Sequence, residues 1–521
     1  MNLRGLFSSP VKSAERDARI AELKLKATIC DERRKTIERA YDASQPSQYW
    51  QRRGDNRSGN ASMDQAGATL RSWARYLDEN HDLAVGVLDD LTKKVIGCGI
   101  QIEPMAKAPN GALAKEFNKA LRNLWAEWTL STPDATRTMA WPEIEAKICR
   151  TWLRDGEVLV QHLEGTNRGI RHRSRVPYSL ELIEPDYLPF DLAQDSTANQ
   201  NRIVHGVELN DWREPIAFWL YKEHPGDGGM MNVMNLSILR EYKRVPAEAI
   251  AHVKFTRRIG QVRGVPVFHA VLRRFEDIKD YEESERVAAR VAAAMCAVIQ
   301  KATDFQGATN LTDAGNRAME FNPGMIFDNL LPGETVHMLD SNRPNTGLEE
   351  FRNGQLRAIA SGTGTSYSGV SRNYNGTYSA QRQELVESWV GYEGLREILY
   401  GQFYRPVWQR FVRMALAAGL VSARNVDQYT LFSVDLVGPA MPWIDPMKEV
   451  ESAAAAVAAG FKSRPMVIRE NQYDPAVVDE QIKADASMRE MLAPKPAATA
   501  TPKAEPKADA NADPNDAAEA A

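Results

Sequence analysis

The chain has 521 residues, 43% of them hydrophobic, enough for one large elongated body or for two to four domains. A formal net charge of −4 excludes a protein that simply coats nucleic acid, a class with a strongly basic balance. The four cysteines (Cys30, Cys98, Cys149, Cys296) are far apart and form no CxxC pair, which excludes a disulfide framework or a cysteine zinc site and fits a reducing compartment.

The first residues, MNLRGLFSSPVKSAERD, lack the apolar run of a signal peptide. No apolar stretch approaches the roughly 18 residues of a membrane span, so a soluble chain made in a cytoplasm, without a membrane partner, is expected. Residues 1–60 are charged and interrupted by DASQPSQ and RRGDNRSGN, which predicts a peripheral arm with one helix around 13–40. From Ser62 to Val95 the apolar spacing predicts one helix, with Leu70, Trp73, Leu77, Leu83, Val87, Leu91 and Val95 mostly on one face. Gly97-Cys98-Gly99 ends it, and Ile100 and Ile102 open a short strand. Two helices follow over 110–153, the second starting near Trp141-Pro142 with proline in its first turn.

From Glu157 to Phe255 the texture is strand-like: VLVQHL, YSLELI, IVHGVEL, IAFWLY and AIAHVKF, separated by turn residues. Strands grouped in this way, with helices on both sides, define an α+β chain. Within this region Arg168, Arg171, Arg173 and Arg175 lie close together, a pattern read first as a solvated loop and second as a contact for an acidic partner. VPVFHAVLRRFEDIKDYEESERVAARVAAAMCAVIQ (265–300) reads as one long helix with apolar ends and a polar middle. Its 36 positions would span roughly 54 Å at about 1.5 Å per residue, longer than most single-domain helices. A β/turn segment (319–339), a helix from about Leu348 to Ile359, and a last long helix with Ser379 as N-cap and a kink at Pro406 complete the ordered elements. The Ala/Pro/Asp-rich end from Pro494 has almost nothing to bury and is expected to be disordered.

No motif carries chemistry. GTGTSYSG (362–369) misses the dinucleotide spacing and follows a helix instead of a strand. No GxxxxGK[ST], GxSxG, HExxH or EF-hand loop is present, and the eight histidines show no i, i+4 pairing. A paired carboxylate site stays open, with nothing specific in its favour. No catalytic residue, cofactor or metal ligand is therefore assigned. SRNYNGTYSAQRQELVESW (371–389) holds the sequon Asn375-Gly376-Thr377, which has no meaning without secretion. It reads as a joint: Asn375-Gly376 turns the chain, Ser379 caps a helix, and Tyr374 and Tyr378 each have one apolar and one wet end.

Four segments together resemble the lambda-type family of tailed-phage portal proteins: 65–100, ending in GCGI; GQVRGVPVF (260–268) with the long helix after it; NPGMIFDNLLPGETV (322–336) with 351–389; and MPWIDPMKEVESAAAAVAAGFKSRP (441–465). Ser361-Gly362-Thr363-Gly364 replaces the Ala-Gly-Leu-Gly frequent in that family, and RENQYDP lacks an expected Gly-Asp pair. The resemblance implies a portal fold assembling as a closed dodecameric ring at one capsid vertex, with wing, stem, clip and crown layers. It divides the chain into an N-terminal arm (1–60), wing (61–264), stem helix (265–300), clip (301–340), tunnel loop and helix (341–362), wing and crown helices (363–430), C-terminal crown-side helices (431–493) and a tail (494–521).

It also implies double-stranded DNA passing through without sequence specificity, and partners in terminase, the major capsid and scaffold proteins and head–tail connector proteins. The virion is the final location and the host bacterial cytoplasm the place of assembly. Asp277, Asp280, Glu282, Glu283, Asn342, Arg343 and Asn345 become candidates for channel-facing positions, with an outward solvated face the competing reading of the acids. Tyr374, Asn375, Gly376, Tyr378 and Ser379 become a wing joint. A sliding channel needs little phosphate neutralisation, which a near-neutral chain supplies, and a closed ring needs two different faces in contact. The competing classes are another ring-forming virion connector, a metal-dependent nucleic-acid-processing enzyme, and a monomeric or dimeric α+β scaffold protein.

Overall fold

The computed structural model describes residues 10–38, 56–165, 169–197, 200–227, 241–293, 297–301, 334–338, 347–442 and 446–471, with scattered positions between 473 and 485. The chain divides into two units, 1–62 and 63–521. In the first, α1 (Pro10–Glu38) is a long helix, exposed from Glu15 to Cys30, with a Glu22–Lys26 ion pair one turn apart at 2.7 Å.

Where one helix was expected over 62–95 there are two, α2 (Gly59–Asn80) and α3 (Asp82–Val95). His81 breaks them with an extended backbone (φ −130°, ψ 112°). Leu77, Val87, Leu91 and Val95 are buried as their spacing predicts, whereas Trp73 stays exposed. β1 (Gln101–Pro104) follows, then α4 (Lys115–Leu130) and α5 (Trp141–Asp155), whose Pro142 sits in the first turn and whose left-handed cap is Gly156 (φ 86°). Trp125, Trp128 and Trp141 from α4 and α5 form an aromatic cluster in the main core, with centroids 4.8–5.3 Å apart.

The strand-rich region makes two antiparallel sheets. In the first, β2 (Glu157–Glu164) lies between β3 (Tyr178–Ile183) and β8 (Ile250–Lys254). The second is a meander of β4 (Arg202–Val204), β5 (Val207–Leu209), β6 (Pro215–Tyr221) and β7 (Tyr242–Pro246) over its own small core of Val207, Phe218, Leu220 and Val245. IVHGVEL is thus not one strand but a hairpin, because His205 (φ 51°) and Gly206 (φ 81°) both take left-handed backbone. The segment YKRVP, which forms β7, escapes a hydrophobic pattern because only Val245 is buried.

The long helix over 265–300 is also corrected. Pro266 lacks an amide donor, and Val267–Ala270 forms a single 3-10 turn. α6 then runs only from Leu272 to Ala293, 22 residues and about 33 Å. Ala297–Lys301 is strand β9, paired antiparallel with β10 (Glu334–Met338); Met295 lies outside the described residues.

α7 (Leu348–Thr363), α8 (Tyr367–Ser371) and α9 (Tyr378–Leu399) follow. The N-cap of α9 is Thr377, whose hydroxyl accepts from Ala380 N; Ser379, the expected cap, is already inside the helix. The expected kink at Pro406 is a π-helical turn at Tyr400–Tyr404, after which Pro406 occupies the first turn of α10 (Arg405–Ala417). α10 adds Trp408 and Phe411 to the aromatic cluster. β11 (Val434–Val437) pairs with β1, and α11 (Pro446–Ala458) and α12 (Arg464–Glu470) close the described fold. The 494–521 tail lies outside the described residues. Among the described residues, no helix is long and apolar enough to cross a membrane.

Candidate functional site

α6 is fixed at one end and open along one edge. Its root is the loop Gln261–Val265, which turns back against the start of β2. Gly156 and Gly264 meet backbone to backbone there: a Cβ on Gly264 would lie 2.0 Å from the Gly156 carbonyl oxygen, and one on Gly156 would lie 2.3 Å from the Val265 carbonyl carbon. Only glycine fits at either position.

Between these glycines a fully buried ion pair forms. Arg263 Nε donates to Glu157 Oε1 (2.7 Å), and its other donors reach the carbonyls of Leu188 (2.9 Å), Pro185 (3.1 Å) and His205 (3.3 Å). Glu157 Oε2 accepts from the Gly264 amide and from His252 Nε2, both at 2.9 Å. The pair is therefore saturated, which a dry charge pair must be to persist. Burial opposes the charge on Glu157, but Arg263, His252 and Arg71 outweigh it and hold the carboxyl well below the usual range. Burial lowers the pKa of His252, against the opposite pull of Glu157. Arg263 and Arg71 both stack over the Phe190 ring, at 4.0 and 4.9 Å. This node ties α2, β2, β8 and the loop before α6 into one body.

Four more contacts fix the first three turns of α6. His81 Nε2, at the α2–α3 elbow, lies 3.0 Å from the Phe275 carbonyl oxygen. Arg274 donates to Gln355 of α7 (2.8 Å), Tyr281 packs on Phe351 (centroids 4.7 Å), and Arg352 binds Glu282 (2.7 Å). As residue numbers rise on α6 they fall on α7, so α6 leaves the root and α7 returns to it. Residues 294–346 lie between them in the chain, and β9 and β10 are their described part.

Of the candidate channel positions, Asp277, Asp280 and Glu283 are exposed on α6. Glu282 instead turns to Arg352 on α7. Asn342, Arg343 and Asn345 lie outside the described residues. Tyr374, Asn375, Gly376, Tyr378 and Ser379 come together as an exposed turn, in which Gly376 N donates to the Tyr374 carbonyl (2.9 Å). The turn is tied to α11 through Arg382, which donates to Glu449 (2.7 Å) and lies 3.4 Å from the Tyr378 hydroxyl. Of the arginine run, Arg168 lies outside the described residues, Arg171 and Arg173 are exposed, and Arg175 binds Glu127.

The GTGTSYSG segment is a helix joint. Lys94 of α3 donates to Asp90 (2.8 Å) and Ser366 (2.9 Å), and the Tyr392 hydroxyl accepts from Ser366 N (3.1 Å). Arg396 caps the end of α3 by donating to the carbonyls of Val95 and Lys94.

Glu184, Asp186 and His224 place three ligand-type atoms within 4.8 Å of one another, the one such group among the described residues. They do not suit a cation. His224 Nδ1 accepts from Gly226 N (3.0 Å), so Nε2 carries the proton that a metal would have to displace. Arg75 Nη2 already occupies Asp186 Oδ2 at 2.5 Å. Glu157 and Arg263 belong to no motif legible in the sequence. The available signal was an arginine flanked by valine and glycine in QVRGV, a charge with no polar neighbourhood of its own.

The described fold is a mixed helix and antiparallel-sheet body that carries a buried structural charge node. The model of the lambda family of phage portal proteins matches residues 45–396, and the chain belongs to that family. It is 24% identical over 428 residues to a probable portal protein of Halomonas phage phiHAP-1, covering 80% of each chain. It is 24% identical over 297 residues to portal protein B of Escherichia phage lambda, covering 52% of this chain and 55% of that one. Among solved structures it is similar to a chain from the neck of the native GTA particle, at 13% identity and a TM-score of 0.41, covering 79% of this chain and 94% of that chain. Portal proteins are structural parts of a phage particle and not enzymes.

Proposed function

We propose that this chain assembles into a closed twelve-subunit ring at one capsid vertex. Double-stranded DNA passes through the ring during packaging and ejection, and terminase and the head–tail connector proteins dock on it. The observation that carries this reading is membership of the lambda portal family across residues 45–396. The α6–α7 pair supports placing the stem at 265–300 and the tunnel helix at 341–362, with the clip (301–340) between them. A wing of 61–264 fits the two sheets and the buried root, and the helices of 363–430 and 431–493 continue towards the crown. In a ring of parallel outgoing helices the exposed acids Asp277, Asp280 and Glu283 face the channel, where they repel phosphate and let DNA slide. Major capsid and scaffold proteins surround the ring in the virion, after assembly in the host cytoplasm.

Electron microscopy of the purified protein together with light scattering tests this. The expected result is rings with a central hole and a mass near twelve times the 58.2 kDa chain. Homogeneous monomer at all concentrations and in the presence of scaffold protein overturns it.

A further inference from the structure

The chain holds three Asn-Gly pairs, at 110–111, 353–354 and 375–376, and the fold treats them differently. Asparagine before glycine is self-reactive: the next amide nitrogen lies within reach of the side-chain carbonyl carbon, and glycine has no Cβ to crowd the approach. The reaction needs a side chain free to turn and a backbone free to bend towards it.

Two of the pairs are restrained. Asn353 and Gly354 lie inside α7, whose helical backbone fixes the Gly354 amide, and Asn353 Oδ1 accepts from the Tyr367 hydroxyl (3.0 Å). Asn110 Oδ1 accepts from Ala112 N (3.1 Å). Its turn is closed by Gly111 N donating to the Ala108 carbonyl (2.8 Å) and Ala108 N donating to the Ala112 carbonyl (2.7 Å). Asn375 differs. It is exposed and outside any helix, and its side-chain amide has no hydrogen bond among the described residues; its backbone amide donates to Asn373 Oδ1 (3.0 Å). Gly376 N donates to the Tyr374 carbonyl (2.9 Å), but Gln381 Nε2 donates to that same carbonyl. Releasing the Gly376 amide therefore leaves the carbonyl partnered.

We propose that Asn375 is a modification site, converting spontaneously to aspartate and isoaspartate through a cyclic imide with Gly376. The Gly376 nitrogen gives its proton to water and bonds to the Asn375 side-chain carbonyl carbon. The carbon–NH2 bond breaks, and the nitrogen takes a proton back from water and leaves as ammonia. Water then opens the imide. Opening at the side-chain carbonyl gives aspartate; opening at the main-chain carbonyl gives isoaspartate, with one more backbone carbon ahead of the Thr377 cap. Either product sets a carboxylate just before α9, where the helix dipole favours negative charge. The chemistry is independent of the ring reading.

Ageing the full-length protein in warm neutral buffer, followed by peptide mass spectrometry, tests this. Native protein should gain the mass of an amide-to-acid exchange at 375 about tenfold faster, or more, than at 110 or 353, the factor that one hydrogen bond of restraint supplies. Both isomers should appear at 375, told apart by electron-transfer fragmentation. In denaturant the three pairs should react at comparable rates, because the restraint is gone. Gly376→Ala, checked by circular dichroism for an unchanged fold, should slow the change at 375 by about tenfold. Equal rates at the three native pairs, aspartate without isoaspartate, or a native Asn375 that stays intact while the denatured chain reacts overturns the proposal.

Discussion

Glu157 at the root of α6 and Glu145 beneath the β1 corner are both buried carboxylates, and their environments move them in opposite directions. Glu157 faces Arg263, His252 and an amide, and is held ionised far below the usual range. Glu145 accepts from the Tyr404 hydroxyl (2.8 Å) and the Ile100 amide (3.2 Å) but faces no cation, and burial pushes its pKa up to about 7. Both tie an α5–β2 body to later elements, Glu157 to the α6 root and Glu145 to the π-turn between α9 and α10. One joint is locked by charge at every working pH, whereas the other loosens as its carboxyl ionises. The difference shows that burial alone does not fix a joint; the partner decides.

Breaking the locked joint has the largest expected effect. Arg263→Met takes from buried Glu157 its main cation, and should lower unfolding stability by about 3–5 kcal/mol, read from the denaturant midpoint. The second joint gives a pH test. A raised carboxyl pKa favours folding fully below the ordinary carboxylate value, and that contribution is lost as pH rises through about 7. Wild type should lose on the order of 3 kcal/mol from this group between about pH 4.5 and pH 8, and Glu145→Gln should remove that part of the slope. Glu157 runs the other way: its stabilisation is complete above the ordinary carboxylate range and is lost only as pH falls through its depressed value. Gly264→Ala, which drives a methyl into the Gly156 carbonyl, should cost about 1–3 kcal/mol by thermal or denaturant unfolding. Gly376→Ala meets only the flexible Gln381 side chain, at 3.3 Å, and should stay within about 0.5 kcal/mol of wild type in the same assay.

That last contrast marks what the sequence revealed. Asn375-Gly376 is conspicuous because turn chemistry is local, and the turn is where the residues put it, but it is exposed and weakly coupled to the core. The mechanical joint at Arg263 is invisible to local rules, because Glu157, Pro185, Leu188 and His205 come to it from far along the chain. Helices α4 and α5 were legible because their apolar faces are long and periodic. The break at His81 was not, since the Phe275 carbonyl that its ring meets lies far along the chain. The helix over 265–300 was overextended for a related reason: Val267 and Phe268 fit a helical period but are buried in a turn that follows a proline. Asp277, Asp280 and Glu283 of α6 are exposed, whereas Glu282, on the same helix, is paired with Arg352 of α7.

The central structural claim is that α6 is anchored by its root, and amide hydrogen exchange of wild type and Arg263→Lys tests it most directly. Lysine keeps the charge but cannot reach three carbonyls and a carboxylate at once. The account predicts faster exchange confined to residues 262–282 and the facing turns of α7, with α9 and α10 unchanged. Unchanged protection in α6, or a loss spread evenly through the fold, would contradict it.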